Sequence, residues 1–244
     1  MSNPFAATAN TDGAKIEQES DRLAGNFIWD TDAYLVTINA AYAGKSGSGA
    51  SSMSFEVTGE DGRKFKWTEW VTSGDAKGNL PYFEKDGQKS YLPGYNRSNA
   101  IALLTTEKEL HALVFEEKVI KLRNATTKTD VPTPVQMATG MIGKQIILGI
   151  AKQEVNKQAK NAEGKYVDTA ETRFVNEVDK IFYAKDKRTV AELRNKTPEA
   201  EFYAKWVEAN KGKVIDRVKK VAAGAMAGVP GAANDAAPTD SLFS

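Results

Sequence analysis

Lys64, Lys66 and Trp70 fall within one short run, GRKFKWTEWVTSG (residues 62–74), at even spacing. In an extended chain, side chains two apart share a face, so Lys64, Lys66, Thr68, Trp70 and Thr72 point one way and Phe65, Trp67, Glu69 and Val71 the other. The second set reads as core. The first combines cations with a large flat ring, which is what a ligand carrying both phosphates and unstacked bases requires. The same mixture recurs in YFEKDGQKSYLPGYNR (82–97) and, more weakly, in AEGKYV (162–167).

Other chemistries find little to stand on. The chain has no cysteine, which removes disulfides, thiolate metal sites and cysteine nucleophiles, and its one histidine, His111, reads as a surface residue near the end of a short helix. GKSGSG (44–49) lacks the phosphate-loop spacing and follows a strand without opening a helix, so it reads as a linker. Neighbouring acids such as Glu116/Glu117 and Asp30/Asp32 do not form a cluster suited to magnesium. No catalytic residue, metal or cofactor is therefore expected. The enzyme alternative is a metal-dependent nuclease using carboxylates, and the sequence offers no clustered acids to favour it.

The formal charge of +1 is unevenly spread. Residues 1–32 hold two basic and six acidic side chains, residues 141–220 hold eighteen and twelve, and residues 222–244 hold two aspartates and no base. A basic body between acidic ends suits a polyanionic ligand. No apolar run is long enough for a membrane helix and the start lacks a secretory pattern, so no membrane association and a cytoplasmic location (the host's, for a phage-encoded chain) are expected.

Three segments are expected along the chain: a disordered arm at residues 1–20, a folded domain at 21–221 and a disordered Ala/Gly/Pro-rich tail at 222–244. Within the domain, Tyr34, Val36, Ile38, Ala40 and Tyr42 alternate with Leu35, Thr37, Asn39 and Ala41 as in a strand. Asp61-Gly62 and Asp86-Gly87 mark two hairpins. A helix is expected over PGYNRSNAIALLTT (93–106), capped by Asn96 or Ser98, and a short one over PTPVQMATGMIG (132–143). NKQAKNAEGKYV (156–167) reads as a lysine-bearing loop, and ETRFVNEVDKIFYA (171–184) fits either a strand or a helix. The strongest helix signal follows Thr197, with Pro198 at the first position and Phe202, Trp206 and Ala209 on one face.

YFEKDGQKSYLPGYNRSNAIALLTTEKELHAL, together with PTPVQMATGMIGKQIILGIAKQEVNKQAKNAEGKYV, resembles a group of bacteriophage single-stranded DNA-binding proteins, over residues 30–185. The resemblance implies a mainly β fold with α additions: an OB-fold-like five-stranded barrel with enlarged loops, to which the sequence adds a C-terminal helix. It implies non-catalytic, largely sequence-independent binding of single-stranded DNA in replication, recombination or repair, and a tail that recruits replication or recombination proteins. The tail departs from the usual densely acidic pattern, having only Asp235 and Asp240 before the final LFS.

The residues expected to carry this function are Trp70, Tyr82, Tyr91 and Tyr95 for stacking on bases. Phosphates would meet Lys64, Lys66, Lys85, Lys89 and Arg97, with Lys152, Lys157, Lys160 and Lys165 from the later loop. Asp240, Leu242 and Phe243 are the tail residues assigned to partner binding. A homodimer is compatible with this reading. The rival is a phage structural or scaffold protein that assembles through exposed aromatics.

Overall fold

Residues 28–124, 126–161 and 163–221 are described by the computed structural model. The expected arm at 1–20, the tail at 222–244 and the tail residues Asp240, Leu242 and Phe243 lie outside them. The chain is mainly β. Strands β1 (Asp32–Lys45), β2 (Ser51–Gly59) and β3 (Lys64–Trp70) form an antiparallel meander. The hairpin β4 (Tyr82–Lys85) and β5 (Gln88–Tyr91) pairs only with itself among the described residues, and α1 (Pro93–Thr106) follows. Next come β6 (Glu116–Arg123), β7 (Asp130–Met137), β8 (Gln145–Lys160) and β9 (Tyr166–Tyr183). Short helices α2 (Val190–Arg194) and α3 (Glu201–Asn210) precede β10 (Val214–Asp216).

The main sheet runs β10-β8-β1-β2-β3, with β9 on β8 and the β6–β7 hairpin joined to β1 through β7. Among the described residues only β10 is parallel to its neighbour. The sheet is open among the described residues, because β3 and β9 do not pair.

β1 illustrates how side chains are sorted between faces. Val36 and Ile38 enter the main core as their alternation predicts, but the register with β2 shifts between Ile38 and Ala40. One extra residue at Asn39 reverses the phase. Ala41 and Ala43 then face the main core, while Ala40 and Tyr42 turn to the opposite face and meet Val135 and Met137 of β7. β8 is apolar on both faces because each packs against a core. Ile146, Leu148 and Ile150 enter the main core, and Ile147 packs with Phe182 against Trp206 of α3. A Cβ on Gly149 would lie 3.0 Å from the Trp206 ring, so glycine there admits the indole.

Several expected boundaries move. α1 starts after Leu92 with Pro93 in its first turn, and Asn96 and Ser98 lie inside the helix; proline's fixed φ and missing N–H suit that first position without a capping side chain. The helix expected at 132–143 is instead β7 followed by a 3₁₀ turn at Thr139–Met141. Pro132 and Pro134 favour this, since the residue before a proline is pushed out of the helical region toward extended backbone, which holds Val131 and Thr133 in a strand. The expected loop at 156–167 is the end of a long hairpin: β8 reaches Lys160 and β9 begins at Tyr166. ETRFVNEVDKIFYA resolves as strand. Thr197 is not a cap; the capping box belongs to Thr189 and Glu192 at α2, and α3 begins at Glu201, burying Trp206 with Tyr203 and Val207 beside it rather than Ala209.

The space between β3 and β9 is filled by side chains. Trp29, 1% exposed, packs edge-on against Tyr34 (4.7 Å) and beside Phe65 (5.9 Å), with the Arg63 guanidinium 4.7 Å from its ring. Its backbone is held by Asn176 of β9, whose side-chain oxygen accepts from the Trp29 N–H (2.8 Å) and whose amide donates to the Trp29 carbonyl (2.7 Å).

Trp29→Ala should cost about 3–5 kcal/mol, the range for losing a buried aromatic. Asn176→Ala should cost about 1–3 kcal/mol through two unsatisfied backbone groups. Urea unfolding of the two variants checks both size and order.

Candidate nucleic-acid interface

β3 alternates as its sequence predicts. Phe65 and Trp67 point inward and form a stack with Phe55, with ring centroids 5.0 Å apart for Phe55–Trp67 and 5.3 Å for Phe65–Trp67. Lys64, Lys66, Thr68 and Trp70 are exposed on the other face, and Trp70 keeps 50% of its surface. Trp29 and Trp206 are buried and Trp67 is partly so, which leaves Trp70 as the one exposed indole among the four tryptophans.

The turn into α1 adds further rings beside Trp70. A Cβ on Gly94 would come within 2.2 Å of the Trp70 carbonyl oxygen, so only glycine lets the helix start abut the end of β3. Tyr95, the next residue, stacks on Tyr91 with centroids 4.5 Å apart and planes 16° off parallel. Tyr91 remains 53% exposed, so one ring backs the other and an open π face is left.

The β4–β5 hairpin turns through Asp86 and Gly87, both at positive φ (53° and 75°), the geometry that an Asp-Gly pair favours. Its register places Tyr82 opposite Tyr91 and Glu84 opposite Lys89. Those four share a face, and the Lys89 ammonium lies 5.0 Å from the Tyr82 ring centre. Lys85 is on the reverse face with Phe83, a second exposed ring.

The cations sort by what already holds them. Lys64, Lys85 and Lys89 are exposed and have no ion-pair partner among the described residues. Lys66 bonds Glu56 at 2.5 Å and lies 5.6 Å from the Tyr42 ring centre. Burial opposes its charge, but the bonds to Glu56 and Tyr42 outweigh this and raise its pKa.

Arg97 departs most from its expected role. Its Nε and Nη2 donate to the two carboxylate oxygens of Glu69 at 2.7 and 2.8 Å, and Trp67 Nε1 donates to the same carboxylate at 3.2 Å. Glu69 is buried, and that burial raises its pKa despite the arginine; burial also opposes the Arg97 charge, but Glu69 more than compensates and raises its pKa. The pair joins α1 to β3 inside the fold, so Arg97 is a structural partner of Glu69 rather than a surface cation.

The later lysines are largely neutralised. Lys152 pairs with Asp30 (3.0 Å), Lys157 with Glu171 (2.8 Å) and Lys165 with Glu163 (3.0 Å). Lys160 lies 5.4 Å from the centre of the Tyr166 ring and has no ion-pair partner among the described residues. Trp70, Tyr91, Tyr95, Tyr82 and Lys89 therefore form the core of the candidate surface; Lys64 is on the same face of β3 as Trp70 but at the other end of the strand, and Lys160–Tyr166 is a separate element on the β8–β9 hairpin. Phe83 and Tyr166 were missed as stacking candidates. Their only sequence signal is an aromatic near a lysine in a hairpin, and whether such a ring is covered depends on what packs above it.

No group of three or more histidine or acidic side chains forms a metal site among the described residues, and no helix there is long and apolar enough to cross a membrane. His111 is exposed in a 3₁₀ turn at Leu110–Ala112. No protein-family profile and no curated protein matches this chain.

Arg97→Met should cost about 3–5 kcal/mol by leaving the Glu69 carboxylate buried and unpaired. Lys89→Met should stay within about 0.5 kcal/mol, as for an ordinary surface change. Thermal and urea unfolding, read beside nucleic-acid affinity, would separate the structural cation from the surface one.

Proposed function

We propose that the chain is a non-catalytic single-stranded DNA-binding protein acting in phage DNA replication, recombination or repair, and that its β-sheet is an OB-like barrel whose closing pair is replaced by packing. Five strands support the fold reading. In space they run β3-β2-β1-β8-β9, with a helix after the third, which is the order of an OB barrel opened between its third and fifth strands. In that fold the second and third strands, with the loops after the first and fourth, present the oligonucleotide surface. The corresponding elements here are the exposed side of β2–β3, the Gly/Ser loop at 46–50 and the β8–β9 turn.

One observation carries the functional reading: exposed Trp70 and the half-covered Tyr91–Tyr95 stack share one end of the sheet with the hairpin that carries Lys89, and Lys66 and Lys64 continue the exposed face of β3 toward its other end. Single strands offer both base faces and phosphates to such a surface, whereas a duplex hides its base faces. Backbone charge and ring stacking carry little base identity, which favours sequence-independent binding. The phage setting and recruitment through the tail rest on the resemblance of the sequence.

Trp70→Ala and Tyr91→Ala should each weaken binding to oligo(dT) by about 1–3 kcal/mol with the fold retained. Replacing both Lys64 and Lys89 should flatten the dependence of log affinity on log salt by about 0.7 for each phosphate that is no longer neutralised. Fluorescence anisotropy at several salt concentrations measures both. Salt-independent self-association with no DNA binding would favour the scaffold reading.

A further inference from the structure

The free edge of the β6–β7 hairpin has a sequence complementary to itself. β6 pairs only with β7 among the described residues, so its other side is an open edge. The Asn124 N–H donates to the Thr129 carbonyl (2.8 Å), and the register carries this pairing back through Leu122–Val131, Ile120–Thr133 and Lys118–Val135. Backbone groups alternate between sides along an antiparallel strand. Glu117, Val119 and Lys121 therefore direct their N–H and C=O groups to the open edge. Pro132 and Pro134, opposite Lys121 and Val119, fit this phase, since neither has the N–H that a bonded position would need. They also block the outer side of β7, while β6 contains no proline.

The side chains on this edge follow the same order. Glu117, Val119 and Lys121 are all exposed, Val119 at 67%. Nearby ion pairs engage Glu116 with Lys118 (2.9 Å) and Arg123 with Asp130 (3.7 Å), whereas Glu117 and Lys121 have no ion-pair partner among the described residues. Edge charges usually repel a second strand. Here acid precedes and base follows an apolar centre, so an antiparallel copy would meet opposite charges.

We propose that two copies of this chain associate through β6 about a two-fold axis, with Val119 opposite Val119 of the second copy and Glu117 opposite Lys121 on both sides. The contact is isologous, so the two ion pairs form together and assembly stops at a dimer. It uses none of the residues assigned to DNA.

Sedimentation velocity of the full-length chain without DNA tests this. Wild type should sediment at twice the monomer mass. Glu117→Lys and Lys121→Glu should each be monomeric, because each variant opposes like charges twice. An equimolar mixture of the two should recover the dimer, and so should the double variant Glu117→Lys/Lys121→Glu. Recovery in the mixture also establishes that both variants fold. A wild-type chain monomeric at every concentration, a single variant that still dimerises, or a mixture that stays monomeric would overturn the proposal and leave the DNA-binding reading intact.

Discussion

The fold depends on how the space between β3 and β9 is filled. Two strands that approach without pairing leave backbone groups and apolar surface to be covered, and uncovered edges invite foreign strands. Trp29 supplies the apolar filling and Asn176 satisfies its backbone on the β9 side. α1 supplies the polar link through Arg97 and Glu69. A buried ion pair of this kind is weak as a source of net stability but costly to break on one side. It therefore fixes where α1 sits more than it adds to stability.

That placement governs the candidate surface. Glu69 points inward because Arg97 meets it there, and strand alternation then turns its neighbour Trp70 outward. Gly94 lets the start of α1 reach the Trp70 main chain, which brings the Tyr91–Tyr95 stack to the same end of the sheet. The exposed rings are thus positioned from inside, by a carboxylate, an arginine and a glycine that need not touch the ligand. The bulge at Asn39 has a parallel effect on the other side, where it turns Tyr42 toward Lys66 and the β7 side chains.

Local signals predicted local features well. The Asp-Gly turns, the alternation of β3 and the inward set of Phe65 and Trp67 could all be read directly, because each depends on adjacent residues. Whatever depended on distant partners could not. Arg97 looked like a surface cation because nothing near it in sequence indicates Glu69, and Lys157 looked free because a hairpin register brings Glu171 beside it; Lys165 differs, since its partner Glu163 is two residues away in the β8–β9 turn. The register shift in β1 leaves no mark on its hydrophobic pattern. Pro132 and Pro134 did bias the residues before them toward extended backbone, a signal outweighed by the small and apolar residues that follow. The open sheet was the least legible feature, since closing a barrel or filling its gap depends on the side chains of four separate elements.

Tryptophan fluorescence during titration with oligo(dT) tests the central claim most directly, because Trp70 is the one indole that a base can reach without disturbing the core. The account predicts strong quenching in the wild-type chain. In Trp70→Phe, where the ring that stacks is no longer an indole, binding by anisotropy should persist while the quenching disappears. Equal quenching in both proteins, or none in the wild type at saturating DNA, would contradict the placement of bases on this face.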